Sequence, residues 1–170
     1  KMPRTKKRAS AAGKISLLVT VIYAGSLALI GGLLLVLLTN WLTVILGVIS
    51  YISYVWVYGY AKRTTIHSTL VGSLPGALPI MAGYAAVSGS LDWLAWALFV
   101  MLFIWQLPHF YAIAIFRKSQ YAKTKLPIIS LVWSQDRLVN LIRWDVCLYF
   151  GVTLITSLGL LSWPAAIILI

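Results

Sequence analysis

Five long apolar runs leave this 170-residue chain little choice of fold. A helix crossing the hydrocarbon layer of a membrane needs about 20 mostly apolar residues, because its backbone amides must be paired within the segment. Such runs occupy about Ile15–Leu38, Trp41–Ala61, Leu70–Val87, Trp93–Phe116 and Trp144–Pro164, and a sixth can begin near the end, where apolar sequence stops at Ile170. The expected fold class is all-α, a polytopic transmembrane helix bundle with about five spans. Composition agrees. With 61% hydrophobic and 10% charged residues, and a mean hydropathy of +0.93, the chain has too few charges to cover a water-soluble domain.

The charges then test the spans. Fourteen Lys and Arg face three acids, Asp92, Asp136 and Asp145, for a net charge of +11. Six basic residues precede the first run, Lys62 and Arg63 follow the second, and six more lie between Arg117 and Arg143. With five spans all fourteen fall on one side. That is the bias of cytoplasmic loops, so the charge calls for no nucleic acid partner. Trp41, Trp93 and Trp163 sit near the opposite boundaries, where indoles favour headgroup depth. Cys147 is the single cysteine, so no disulfide can form within the chain.

Three segments hold residues that could carry chemistry. In KMPRTKKR, a helix after Pro3 puts Arg4, Lys7 and Arg8 on one face. Such a face either clamps a diphosphate or anchors the chain to anionic lipid. In the stretch Tyr60–Val87, Lys62 and Arg63 close one span, and Pro75 and Pro79 interrupt the next. Each proline removes a backbone donor. The result is either a kinked helix lining a pocket, with Gly72, Gly76 and Gly83 admitting a flat or greasy ligand, or a packing kink between helices.

In WQLPHFYAIAIFRKSQY, Pro108 frees the carbonyl of Ile104 while Gln106 and His109 supply polar groups at similar depth. His109, Ile113 and Arg117 share a helical stripe. A histidine within a span reads as a metal ligand or proton carrier, or else as one bonded to a helix carbonyl. The acids argue the other way. Asp136 and Asp145 are nine residues apart and make no Mg²⁺ cage, which takes oxygen ligands.

The segments KMPRTKKR, KRTTIHSTLVGSLPGALPIMAGYAAVSG and WQLPHFYAIAIFRKSQYAKTKLPIIS, in this order and spacing, resemble the haem O synthase (protoheme IX farnesyltransferase) family of UbiA-type intramembrane prenyltransferases. The resemblance covers most of Lys1–Ser130 and loosens from Leu131. It implies a nine-helix bundle in the cell membrane, with an active site near the cytoplasmic face. This chain would supply roughly the third to seventh helices, as one transmembrane prenyltransferase domain over residues 1–170, incomplete at both ends. The first acidic motif would then lie upstream of Lys1.

The implied activity is transfer of a farnesyl group from farnesyl diphosphate to a vinyl group of haem B, giving haem O, with Mg²⁺ as cofactor. Farnesyl diphosphate, haem B, the lipid bilayer and terminal-oxidase assembly factors are the implied partners. Arg4 and Arg8 match the basic pair beside the first motif and, with His109, are the implied catalytic residues. Lys7, Lys62, Arg63, Arg117, Lys118 and Tyr121 would bind diphosphate or haem propionate, while Gly72, Pro75, Gly76, Pro79 and Pro108 would line the cavity.

One departure stands out. Acids expected before the tyrosine of the second motif are replaced by Ser119 and Gln120. It motivates another reading, an impaired relative that binds haem or assists assembly. A UbiA-type enzyme with another acceptor also stays open, and the proline-broken helices and membrane histidine suggest a transporter fragment.

Overall fold

The computed structural model describes residues 12–124 and 126–161, and within them every regular element is helical. Helix α1 spans Leu17–Leu38 and begins at Ser16, whose hydroxyl accepts from the Val19 amide at 3.3 Å. No residue of α1 is buried. Helix α2, Trp41–Ile52, passes through a π-helical stretch, Ser53–Tyr58, into α3, Gly59–Thr64, and together they form one span.

Helix α4 covers Ser68–Ser88 and runs unbroken through Pro75 and Pro79. It ends at Gly89, whose φ of 69° is the left-handed value that glycine adopts without a Cβ penalty. Asp92 then caps α5, Trp93–Phe116, accepting from the Leu94 and Ala95 amides at 3.0 and 3.1 Å. Two single-turn helices follow, α6 at Lys118–Tyr121 and α7 at Ile129–Val132, before α8 at Gln135–Leu161.

Five helical segments are long and apolar enough to cross a membrane, and the chain is a multi-pass membrane protein. The boundaries differ most at the fifth. The apolar run predicts a start near Trp144, yet α8 begins nine residues earlier, at Gln135. Ser134 explains it. Its hydroxyl accepts from the Arg137 amide at 3.3 Å, capping a helix whose first turns are polar on the outside. Leu138, Leu141 and Ile142 supply the apolar stripe, so Arg137 and Arg143 belong to the helix and not to a loop. Pro164 and the sixth run lie outside the described residues.

The spans pack in the order α1, α2, α4, α5, α8. Between α2 and α4 a row of side-chain donors meets main-chain carbonyls. The Asn40 amide donates to Ala85 at 2.6 Å, the Thr43 hydroxyl to Ala82 at 3.4 Å, and the Ser50 hydroxyl to Pro75 at 3.2 Å. The last is instructive. Pro79 has no N–H for the carbonyl of Pro75, and Ser50 supplies the missing donor from the neighbouring helix.

Leu46, Leu78, Met81, Ala85 and Ala95 form one core cluster. Leu107, Tyr111, Ile129 and Leu138 form another, closer to the basic end. Ser130, fully buried, donates to the Ala114 carbonyl at 2.8 Å and ties α7 to α5.

Candidate active site

The basic residues collect where α3 ends, α4 begins, α5 ends and α8 begins. Lys62 and Arg63 occupy the last turn of α3, both exposed. Lys62 Nζ lies 5.6 Å from the centroid of the Tyr58 ring. Arg117 closes α5, Lys118 opens α6, and Tyr121 ends it half-buried. Aromatic contacts hold this end together. The His67 ring at the start of α4 meets Trp133 edge-on at 6.3 Å, and the Arg137 guanidinium covers the Trp133 face at 3.8 Å. These three were not singled out together in the sequence, because His67 lies 66 and 70 positions from Trp133 and Arg137 and shares no local pattern with them. Arg4, Lys7 and Arg8 lie outside the described residues.

Ser119 and Gln120 sit on α6 beside this cluster, Ser119 exposed and Gln120 half-buried. Among the described residues no three His, Cys, Asp or Glu side chains gather closely enough to hold a metal ion. The described side chains therefore do not fit a Mg²⁺ cage.

Two grooves open along the helices. The larger, of about 540 Å³, runs between α1, α2 and α4 and is lined by Leu35, Ser50, Tyr54, Pro75, Pro79 and Gly83 among others. The second, of about 280 Å³, lies among α4, α5 and α8, with Ile80, Leu98, Met101, Leu102, Trp105 and Tyr149 at its surface.

His109 belongs beside the second groove. Its ring stacks on Trp105 at 5.3 Å and 12°, with Phe110 edge-on at 5.4 Å. It is exposed and makes no hydrogen bond with any described residue. The buried side of α5 carries Ile104, Gln106, Leu107, Tyr111 and Ala114, so His109 points away from the packed core.

The glycines divide. At Gly72 a Cβ would come 2.8 Å from the Tyr58 ring, so that position admits this chain's own tyrosine. Gly76 faces the amide of Gln106, which fills the space a Cβ would need. Gly83 has open space, and with Pro75 and Pro79 it borders the larger groove. Gln106 uses the room at Gly76 to donate to the carbonyls of Leu102 and Ser73, at 3.0 and 3.4 Å. Pro108 is half-buried one turn beyond Ile104.

Comparison with known proteins identifies relatives of this chain. "Protoheme IX farnesyltransferase 2" of Pseudomonas fluorescens is 42% identical over 161 residues, covering 94% of this chain and 53% of the relative. The protein of the same name from Shewanella woodyi is 39% identical over 158 residues, covering 92% and 53%. "Protoheme IX farnesyltransferase" of Francisella tularensis subsp. novicida is 44% identical over 131 residues, covering 77% and 46%. The chain thus spans about half the length of the curated relatives it matches. No solved structure matches it. The UbiA prenyltransferase family matches over residues 1–170, from the basic opening through all five spans. The chain belongs to that family.

Proposed function

We propose that this chain is the central helical part of an enzyme that moves a farnesyl group from farnesyl diphosphate to a vinyl group of haem B, yielding haem O. The observation that carries the reading is 39–44% identity, across most of the chain, to proteins named for that activity. The structure adds chemistry that suits it: a cationic end above long apolar grooves. As the allylic C–O bond breaks, its electron pair leaves with diphosphate. Lys62, Arg63, Arg117 and Lys118, joined by Arg4, Lys7 and Arg8, take up that charge. The apolar walls, with Pro75, Pro79 and Gly83 on one side and Trp105 on the other, shelter the prenyl chain and keep water from the allylic cation until the vinyl π pair closes the new C–C bond. Water then adds to the cation left beside the porphyrin and gives up a proton, which supplies the hydroxyl of haem O. His109, stacked on Trp105, handles haem or a proton beside that groove.

Any Mg²⁺ in this reading would be held by acids from beyond this sequence, whose own acids are Asp92, Asp136 and Asp145 alone. The basic end faces the cytoplasm, since the turns at Thr39–Asn40 and Gly89–Asp92 carry no Lys or Arg. The test is to express the sequence with its natural flanks in a membrane and incubate it with haem B and farnesyl diphosphate. Haem O by mass spectrometry is expected, and unchanged haem B would overturn the reading. Ser119 and Gln120, standing where acids are expected, favour one second reading, a haem carrier without turnover. It predicts haem binding in a spectroscopic titration while farnesyl diphosphate stays intact.

A further inference from the structure

Asp145 lies within the spanning part of α8, on the stripe that packs against α5. It is 9% exposed, its Oδ2 has no hydrogen-bond partner, and no cation among the described residues pairs with it. An ionised carboxylate in such a place costs far more than keeping the proton. A neutral carboxyl, however, carries an O–H donor that needs an acceptor.

The packing says which acceptor stands opposite. Leu138 shares a core cluster with Leu107 and Tyr111, and Tyr149 shares a groove with Met101, Leu102 and Trp105. The two helices run antiparallel and advance equally per residue. Asp145 lies between these two anchors on α8, Leu138 and Tyr149, so the part of α5 opposite it lies between Tyr111 and Met101, with Ile104 inside that stretch. Ile104 is buried, at 7% exposure. Its carbonyl is the acceptor for which Pro108 has no N–H. A donor without an acceptor and an acceptor without its helical donor therefore fall on the same facing stretch of α8 and α5.

We propose that Asp145 is a protonated positioning residue whose hydroxyl completes the Ile104 carbonyl, directly or through one water, and so fixes the Pro108 turn bearing Trp105 and His109. The same device is already visible elsewhere in the chain, where Ser50 serves the Pro75 carbonyl that Pro79 leaves open. The element packed on this face is α5, and from it Tyr111 is the titratable group near Asp145. On α8 itself the neighbours are Tyr149 and Arg143. The phenols supply no positive charge, and Arg143 is exposed and donates to Asn140 at 3.2 Å.

The test uses the full-length protein in lipid nanodiscs. Infrared spectra should show a protonated-carboxyl band that Asp145→Asn removes. Asp145→Leu should lower the thermal midpoint by about 4 °C or more. In a Pro108→Ala background it should lower it by less than about 1 °C, because that backbone supplies the N–H itself. Asp145→Asn, a neutral donor, should stay within about 1 °C of wild type. In turnover, Asp145→Leu should reduce kcat about tenfold, with Asp145→Asn restoring it. That last arm rests on the prenyl-transfer reading, whereas the band and the midpoints do not. Absence of the band, an equal cost of Asp145→Leu in both backgrounds, or Asp145→Asn as damaging as Asp145→Leu would overturn the proposal. If Asp145→Leu does not fold, the band and Asp145→Asn still decide.

Discussion

Replacing Gly76 by alanine should unsettle the contact between α4 and α5 more than its small size suggests. The new methyl would occupy the place of the Gln106 amide, which is 8% exposed and donates to Leu102 and Ser73. Rotating that amide away breaks both bonds, worth about 1 kcal/mol each. Crowding in a packed interface adds about 1–3 kcal/mol. Exchange of glycine for alanine within a helix returns at most about 1 kcal/mol. The balance is a loss of roughly 2–4 kcal/mol, which for a protein of the relatives' length, about twice this chain's, lowers the thermal midpoint by about 3–6 °C.

Unfolding of the full-length protein in detergent, followed by circular dichroism, measures it. The double variant Gly76→Ala with Gln106→Ala isolates the cause, since the methyl then enters vacated space. That protein should be no less stable than Gln106→Ala alone. A Gly76→Ala protein as stable as wild type, or losses that simply add, would refute the reasoning.

Two further outcomes follow from the site and its opposite end. On the proposed prenyl-transfer reading, in which Arg117 contacts the diphosphate, Arg117→Ala should raise KM for farnesyl diphosphate about tenfold or more; steady-state kinetics of the full-length protein would show it. Asp92 should set an acid limit on stability. The Tyr84 hydroxyl, bonded at 2.6 Å, is the main reason its carboxyl titrates below the usual 3.8, with burial opposing and the Ala95 and Leu94 amides assisting. A lowered folded value means the stabilisation is complete above the unfolded value and fades as pH falls through the folded one. Thermal midpoints measured from pH 6 down to about pH 2 should therefore drop only below about pH 4. Asp92→Asn should remove its part of that drop.

Much of the architecture could be read from the chain itself. Spans depend on length and hydropathy, and both are local, so α1, α2, α4 and α5 start or end within three residues of their apolar runs. The start of α8 was hidden because its first turns are polar on one face, and hydropathy averages over faces. The candidate site divides along the same line. Lys62, Arg63, Arg117 and Lys118 fall at helix ends, where charge pattern puts them. The roles of Gly72 and Gly76 could not be read. Their partners Tyr58 and Gln106 are chosen by packing between helices, and a glycine stripe looks the same whether it admits a ligand or a neighbour. Nor could the meeting of His67 with Trp133, which depends on how the start of α4 and the turn before α8 converge.

The bonds from Asn40, Thr43 and Ser50 reach main-chain oxygens of α4 and none of its side chains. Every residue type offers the same carbonyl. Substitutions at Gly83 can therefore reshape the groove without severing the bonds from Asn40 and Thr43, whereas replacing Pro79 would give the Pro75 carbonyl a helical N–H in competition with Ser50. Adhesion is written in one helix and groove shape in the other, so relatives could diversify what they hold while keeping how the pair is joined. Changes at Asn40, Thr43 and Ser50 have no such freedom, and a survey of tolerated mutations should find these two helices unequal.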